Sequence, residues 1–167
     1  MATEAHQNPR IVLEEDHRHI ATLLERLVVN VRADDRSAAR EAWDRVERAL
    51  LAHLDAEESW LFARLSEIAP SEAGLLSDEH AELRRMMGEL DLAFDLHAVR
   101  SVDIAAFSAR LADHAEREGA LLYPVAERRL EVSRARALLA HLCGAAMVRA
   151  GDPAVHPSAR PCTGAPS

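Results

Sequence analysis

Apolar residues recur along this chain at alternating steps of three and four, the period of helices that bury one face. Between 11 and 32 the stripe is Leu13, His17, Ile20, Leu24, Leu27 and Val31. Ala33-Asp34-Asp35-Arg36-Ser37 reads as a polar turn, with Asp35 or Ser37 suited to cap a second helix. That helix runs to about Ile68 and carries Trp43, Val46, Leu50, His53, Glu57, Trp60 and Leu61 on one side. Pro70 and Ser71 restart the chain, Gly74 weakens the first turn, and Ser77-Asp78-Glu79 offers another start. A third stripe follows as Leu76, His80, Leu83, Met87, Leu90, Phe94 and His97. Ser101 or Asp103 caps a fourth helix with Phe107, Leu111, His114, Glu118, Leu121 and Val125, and Pro124 predicts a kink or loosening near its end. Residues 133–149 predict a shorter fifth helix, with Ala135, Leu138, Leu139, Leu142 and Met147 on one side. The expected organisation is a loose arm at 1–10, an all-α domain at 11–150 and a disordered Pro-, Gly-, Ala- and Ser-rich tail at 151–167.

Polar residues interrupt these seams at matching places. His53 and Glu57, like His114 and Glu118, are four apart and share a helical face with apolar neighbours above and below. His17 and His80 occupy seam positions alone. The six form an internal repeat: His17 then His53-x-x-x-Glu57, and His80 then His114-x-x-x-Glu118. Local echoes accompany it, Asp16-His17 beside Glu79-His80 and Trp60-Leu61-Phe62 beside Leu121-Leu122-Tyr123. Two helical hairpins packed together would bring all six side chains to one level. An unpaired carboxylate in such a core is strongly disfavoured or takes up a proton, so two buried Glu need partners.

Composition narrows the classes. At 167 residues the chain is long enough for one domain with a sizeable core, and its Ala, Leu, Arg and Glu content with six Gly is that of a helical protein. All 20 basic residues are Arg, which points to a GC-rich, bacterial source. Against 28 acidic residues they leave a net charge of −8 without a basic stripe, so nucleic-acid binding is not expected. MATEAHQNPR lacks the apolar segment of a signal peptide, and no apolar run reaches membrane-spanning length, so the expectation is a cytoplasmic protein with no membrane partner. Cys143 and Cys162 form no zinc-ribbon or disulfide framework and are given no role.

The donor set points to a metal. Imidazole and carboxylate without thiolate suit iron or manganese and permit zinc, and two Glu facing each other from opposite hairpins can bridge a pair of ions. Four His and two bridging Glu therefore make a dinuclear iron centre the leading expectation. Each ion takes two His and shares both carboxylates, with room for a bridging oxo or hydroxo group and an exogenous ligand. Ferritin-like bundles need Glu-x-x-His twice, and here that spacing occurs only at Glu14-x-x-His17 among the four histidines.

Over roughly 11–131 the order His17, His53-x-x-x-Glu57, His80, His114-x-x-x-Glu118 resembles the hemerythrin-like family, the HHE cation-binding domain. The resemblance implies an antiparallel, up-down-up-down four-helix bundle with a non-haem di-iron site, to which the 133–149 stripe adds a short extra C-terminal helix. It assigns His17 and His53 to one iron, His80 and His114 to the other, and Glu57 and Glu118 to the bridge. Oxygen-carrying members have a further His one turn past the third-helix ligand and an Asp five residues after the fourth-helix His. Here those positions hold Arg84 and Gly119, which brings the set closer to bacterial iron-centre repair proteins and iron-sensing members.

The function expected is binding or sensing of dioxygen, nitric oxide or peroxide by a monomer or weak homodimer. The alternative is an enzyme that removes peroxide or nitric oxide, or donates iron in centre repair. Arg84 reads either as a bundle-edge residue paired with a surface acid or as a guanidinium near the open iron position. Ile20, Leu83, Met87, Trp60 and Leu121 read as packing around the ligands. Asp55, Glu58, Glu116 and His19 read as solvated, His97 as too distant, and His6, His141 and His156 as unpartnered by spacing.

Overall fold

The computed structural model describes residues 9–125. Among them there are no strands, and four long helices form a bundle: α1 (Pro9–Arg32), α2 (Arg36–Glu57), α4 (Pro70–Asp95) and α5 (Ser101–Leu121), with a short α3 (Ala63–Ile68) between the second and third. The expected fifth helix, the tail, His6, His141, His156 and both cysteines lie outside the described residues. No helix among those described is long and apolar enough to cross a membrane.

The ends of the helices follow their sequences closely. Pro9 and Arg10, expected in the arm, form the first turn of α1, where the missing proline N–H costs nothing. Asp35 is the N-cap of α2, its carboxylate accepting from the Ala38 N–H at 3.0 Å. The helix before Pro70 stops there, and Pro70 opens α4 at once, so the start offered by Ser77 is not used. At α5 the cap position is Arg100, not Ser101 or Asp103, and it makes no side-chain cap bond. Asp103 instead accepts two bonds from the Arg100 guanidinium at 2.9 and 2.6 Å. The end of α5 loosens at Leu122, just before Pro124, because proline cannot supply the next N–H.

Two turns reverse the chain by the same device. After α1, Asp34 and Asp35 donate back to Val31 and Asn30, and after α4, His97 and Ala98 donate back to Phe94 and Ala93. Both are Schellman closures, which place the first residue past the helix in the left-handed region. Asp34 (φ 55°) and His97 (φ 53°) occupy that region without being glycine. His97 is therefore beyond the seam in which its spacing placed it. His97→Gly is expected to stabilise the fold by about 1 kcal/mol, a rise of roughly 2–4 °C in Tm by calorimetry, because the Cβ clash disappears. No rise would mean that neighbouring contacts of His97 outweigh its backbone strain.

Packing divides the interior in two. One apolar cluster centres on Trp43, which stacks on Phe94 at 5.6 Å and meets the edge of Phe107 at 5.8 Å. The other gathers Leu13, Leu61, Leu65, Leu76 and Leu122. Along each long helix the polar seam residues fall between members of these clusters: His17 between Leu13 and Ile20, His80 between Leu76 and Leu83, His114 and Glu118 between Leu111 and Leu122. On α2, His53 and Glu57 lie between Leu50 and Leu61, and just past Glu57 the backbone widens into a π-helical turn, Glu58–Phe62, where an unbroken helix was expected.

Candidate metal centre

The six seam residues converge between the two apolar clusters. His53, Glu57, His114 and Glu118 are wholly buried, His80 is nearly so, and His17 keeps a small opening to solvent. Glu118 is the hub. One of its oxygens lies 3.2 Å from His17 Nε2 and 4.0 Å from His53 Nε2, and the other 3.1 Å from His80 Nε2 and 2.8 Å from His114 Nε2. Glu57 faces it, with one oxygen 3.3 Å from His53 Nε2 and the other 3.6 Å from His80 Nε2. The rings pair as the repeat pairs them, His17 with His53 at 4.3 Å between centroids and His80 with His114 at 4.8 Å.

The donors separate into two groups, His17, His53, Glu57 and Glu118, and Glu57, His80, His114 and Glu118, each with ligand atoms within 4.8 Å of one another. Both carboxylates belong to both groups. His53 Nε2, His114 Nε2, both oxygens of Glu57 and Glu118 Oε2 are buried yet lack a hydrogen bond of acceptable geometry. Buried polar atoms are almost always satisfied, so inward-facing orphans of this chemistry fit a cation held among them. The cluster is thus compatible with metal binding.

The electrostatics of the protein alone agree with a strongly coupled charge cluster. Burial opposes charge on Glu118, but the His114, His17, His53 and His80 imidazoles close to its oxygens hold its carboxyl well below the usual range. Burial likewise opposes charge on His53, yet the Glu57 carboxylate, the hydrogen bond to Asp16 and the nearby Glu118 carboxylate hold its pKa well above the ordinary value. His80 is desolvated too, and Glu118 and Glu57 raise it to about 9. Tyr123 keeps its proton, because burial and the charges of Glu57, Glu118, Asp16 and Glu14 push its pKa up.

Around the six lies a shell that spacing alone did not reveal. His53 Nδ1 meets Asp16 at 3.1 Å, His114 Nδ1 meets Glu79 at 2.9 Å, His80 Nδ1 meets Glu58 at 2.8 Å, and His17 Nδ1 meets the Tyr123 hydroxyl at 2.7 Å. Asp16 and Glu79 each precede a seam histidine but orient the histidine of the neighbouring helix, and both are buried. The doubled acid-His pair in the sequence was their signal. Glu79 is gripped in turn by Arg117, and by Arg110 Nη2 at 3.4 Å.

Glu58 is exposed and points off the ligand face, as expected, but it is not without a partner: the far nitrogen of His80 also points outward, and the two meet between helices. Arg84 bonds Glu58 at 2.6 Å and Asp55 at 2.8 Å, so it pairs with acids at the bundle edge, and Asp55 is engaged as well. His19 is half-buried, not exposed. The cleft of about 490 Å³ near the Asp34 and His97 turns contains none of the six.

Such outer partners fix the ring and raise the donor strength of the nitrogen facing inward. Asp16→Asn is expected to weaken metal binding about 10- to 100-fold by chelator competition, with the helical content unchanged. Unchanged affinity would show that His53 is held by packing alone.

Neither curated proteins nor solved structures provide a match. The profile of the hemerythrin HHE cation binding domain matches residues 8–126, which span α1 to the end of α5, the six residues of the cluster and the four acceptors behind its histidines. This chain belongs to the hemerythrin HHE cation-binding domain family.

Proposed function

We propose that this protein is a non-haem di-iron protein that binds or senses dioxygen, nitric oxide or peroxide. The observation that carries the reading is the paired donor set, two groups of four that share Glu57 and Glu118. His17 and His53 would hold one ion, His80 and His114 the other, and both carboxylates would serve the pair. Iron at these positions would supply redox activity and open coordination for a small ligand. The chain's own part is to orient the imidazoles through Asp16, Glu58, Glu79 and Tyr123 and to keep water scarce, with Ile20, Leu83 and Met87 buried one turn from the donors.

The same reading takes the four long helices as an antiparallel, up-down-up-down bundle within a domain of about residues 11–150. Arg40, near the start of α2, reaches Asp91 and Asp95 near the end of α4, which supports opposite directions for those two. It also takes the protein as cytoplasmic and as a monomer or weak homodimer, with no nucleic-acid or membrane partner.

The test is the metal content of anaerobically purified protein, followed by its visible spectrum on exposure to air, peroxide and nitric oxide. About two irons per chain and a ligand-dependent, reversible absorption band are expected. Turnover of peroxide or nitric oxide, or loss of iron to an acceptor, would favour the enzymatic alternative. A single colourless ion such as zinc would remove the redox reading.

A further inference from the structure

We propose that the two halves of the centre hold their ions unequally, the His80/His114 half tightly and the His17/His53 half exchangeably, because Tyr123 stands where the other three histidines have a carboxylate. This rests on the dinuclear reading above and adds an order of loading and release to it.

An imidazole that ligates through Nε2 presents Nδ1–H to an outer acceptor, and the strength of that acceptor sets how good a donor Nε2 becomes. His80 and His114 both face carboxylates, Glu58 and Glu79. These carboxylates are themselves fixed, Glu58 by Arg84 and Glu79 by Arg110 and Arg117. In the other half His53 has Asp16, but His17 has only a phenol oxygen. A neutral acceptor makes a bond roughly half as strong as an ionised one. Exposure acts in the same direction: the His17 side chain is 13% exposed, against 0–1% for the other three, so water can compete for an ion at His17.

The inequality is written into the repeat. His53 corresponds to His114, Glu57 to Glu118 and Phe62 to Tyr123 at one constant offset. Phe62 packs on His80, its ring centroid 4.7 Å away, but has no hydroxyl to offer it. Glu58 fills that role, and its own counterpart in the repeat is Gly119, which has no side chain. Each half therefore lacks the partner that the other half uses.

The experiment titrates the metal-free full chain with cobalt(II), followed by visible absorption and calorimetry, for wild type, Glu58→Gln and Tyr123→Phe. Two steps separated by at least about tenfold are expected in the wild type. Glu58→Gln should weaken the tight step by about 10- to 100-fold, and Tyr123→Phe only the weak step, by about 2- to 10-fold. Mössbauer spectra of the iron-57 forms give a readout that a general loss of packing would not mimic: each variant should move one quadrupole doublet, and not the same one. Two equivalents entering in a single indistinguishable step, or both variants acting on the same step, would overturn the proposal while leaving the dinuclear centre intact. One equivalent in every variant would sink the dinuclear reading and this proposal with it.

Discussion

Glu118→Ala is expected to lose most of its metal and to melt far below the wild type. Among the described residues Glu118 is the one side chain whose oxygens lie within 4.0 Å of all four histidine Nε2 atoms, so its removal takes a donor from both groups at once. Metal binding is linked to folding, and an ion present at about 1,000 times its Kd stabilises by about 4 kcal/mol. Losing that contribution corresponds to a fall of roughly 8–16 °C in Tm for a chain of this size. Removing the carboxylate also leaves the raised His53 and His80 short of a counter-charge in a dry interior, which adds to the loss. Glu57→Ala should act in the same direction. The measurements are metal analysis and differential scanning calorimetry, with chelator-stripped wild type as the control. A Glu118→Ala protein with full metal content and unchanged melting would show that the carboxylate is not a ligand.

Metal binding at neutral pH is expected to release protons and to tighten steeply as pH rises. An imidazole must be free of its proton at the ligating nitrogen before it takes an ion. In the metal-free protein His80 titrates at about 9 and His53 is held well above 6.5, so both are charged at neutral pH. Loading both positions should therefore release about two protons, one for each, and the apparent affinity of each should rise by about tenfold per pH unit above neutrality, for the His80/His114 position until His80 deprotonates near 9. Calorimetry in two buffers of different ionisation heat counts these protons, and a count near zero would contradict the raised values. The metal-free fold has the opposite dependence on these histidines. Their pKa values are raised on folding, so the stability they contribute is full below about pH 6.5 and is lost as His80 deprotonates near 9. Glu118, lowered on folding, contributes above about 4.5 and loses that contribution as pH falls through its depressed value. The expected result is a metal-free protein that weakens toward alkaline pH while its affinity for metal grows there.

The donor cluster was legible because burial makes each of its members anomalous. A His or Glu at a seam position between Leu50 and Leu61, or between Leu111 and Leu122, conflicts with the apolar period around it, and the conflict recurs in both halves of the chain. Helical spacing of four then fixes which His and Glu share a face, since that relation is local and independent of how helices pack. The four long helices, the turn capped by Asp35 and the break at Pro70 are local in the same sense.

The outer shell was not legible on the same terms. Asp16, Glu58, Glu79, Arg84 and Tyr123 act across helix pairs, and their contacts depend on the rotation and height of one helix against another, which a single helix's period does not contain. Glu58 shows the limit: its direction from α2 was read correctly as away from the centre, but the outward nitrogen of His80 made that direction the useful one.

By itself, then, the sequence determined that this is a helical protein with six inward His and Glu in a duplicated set, because those features follow from burial and a period of 3.6 residues. Only the tertiary structure decided that Glu118 serves all four histidines and which acceptor stands behind each imidazole. It also showed that His17, backed by a phenol and open to water, differs from the other three. Those are distances between residues as far apart as His17 and Tyr123, and only the packing of separate helices sets them.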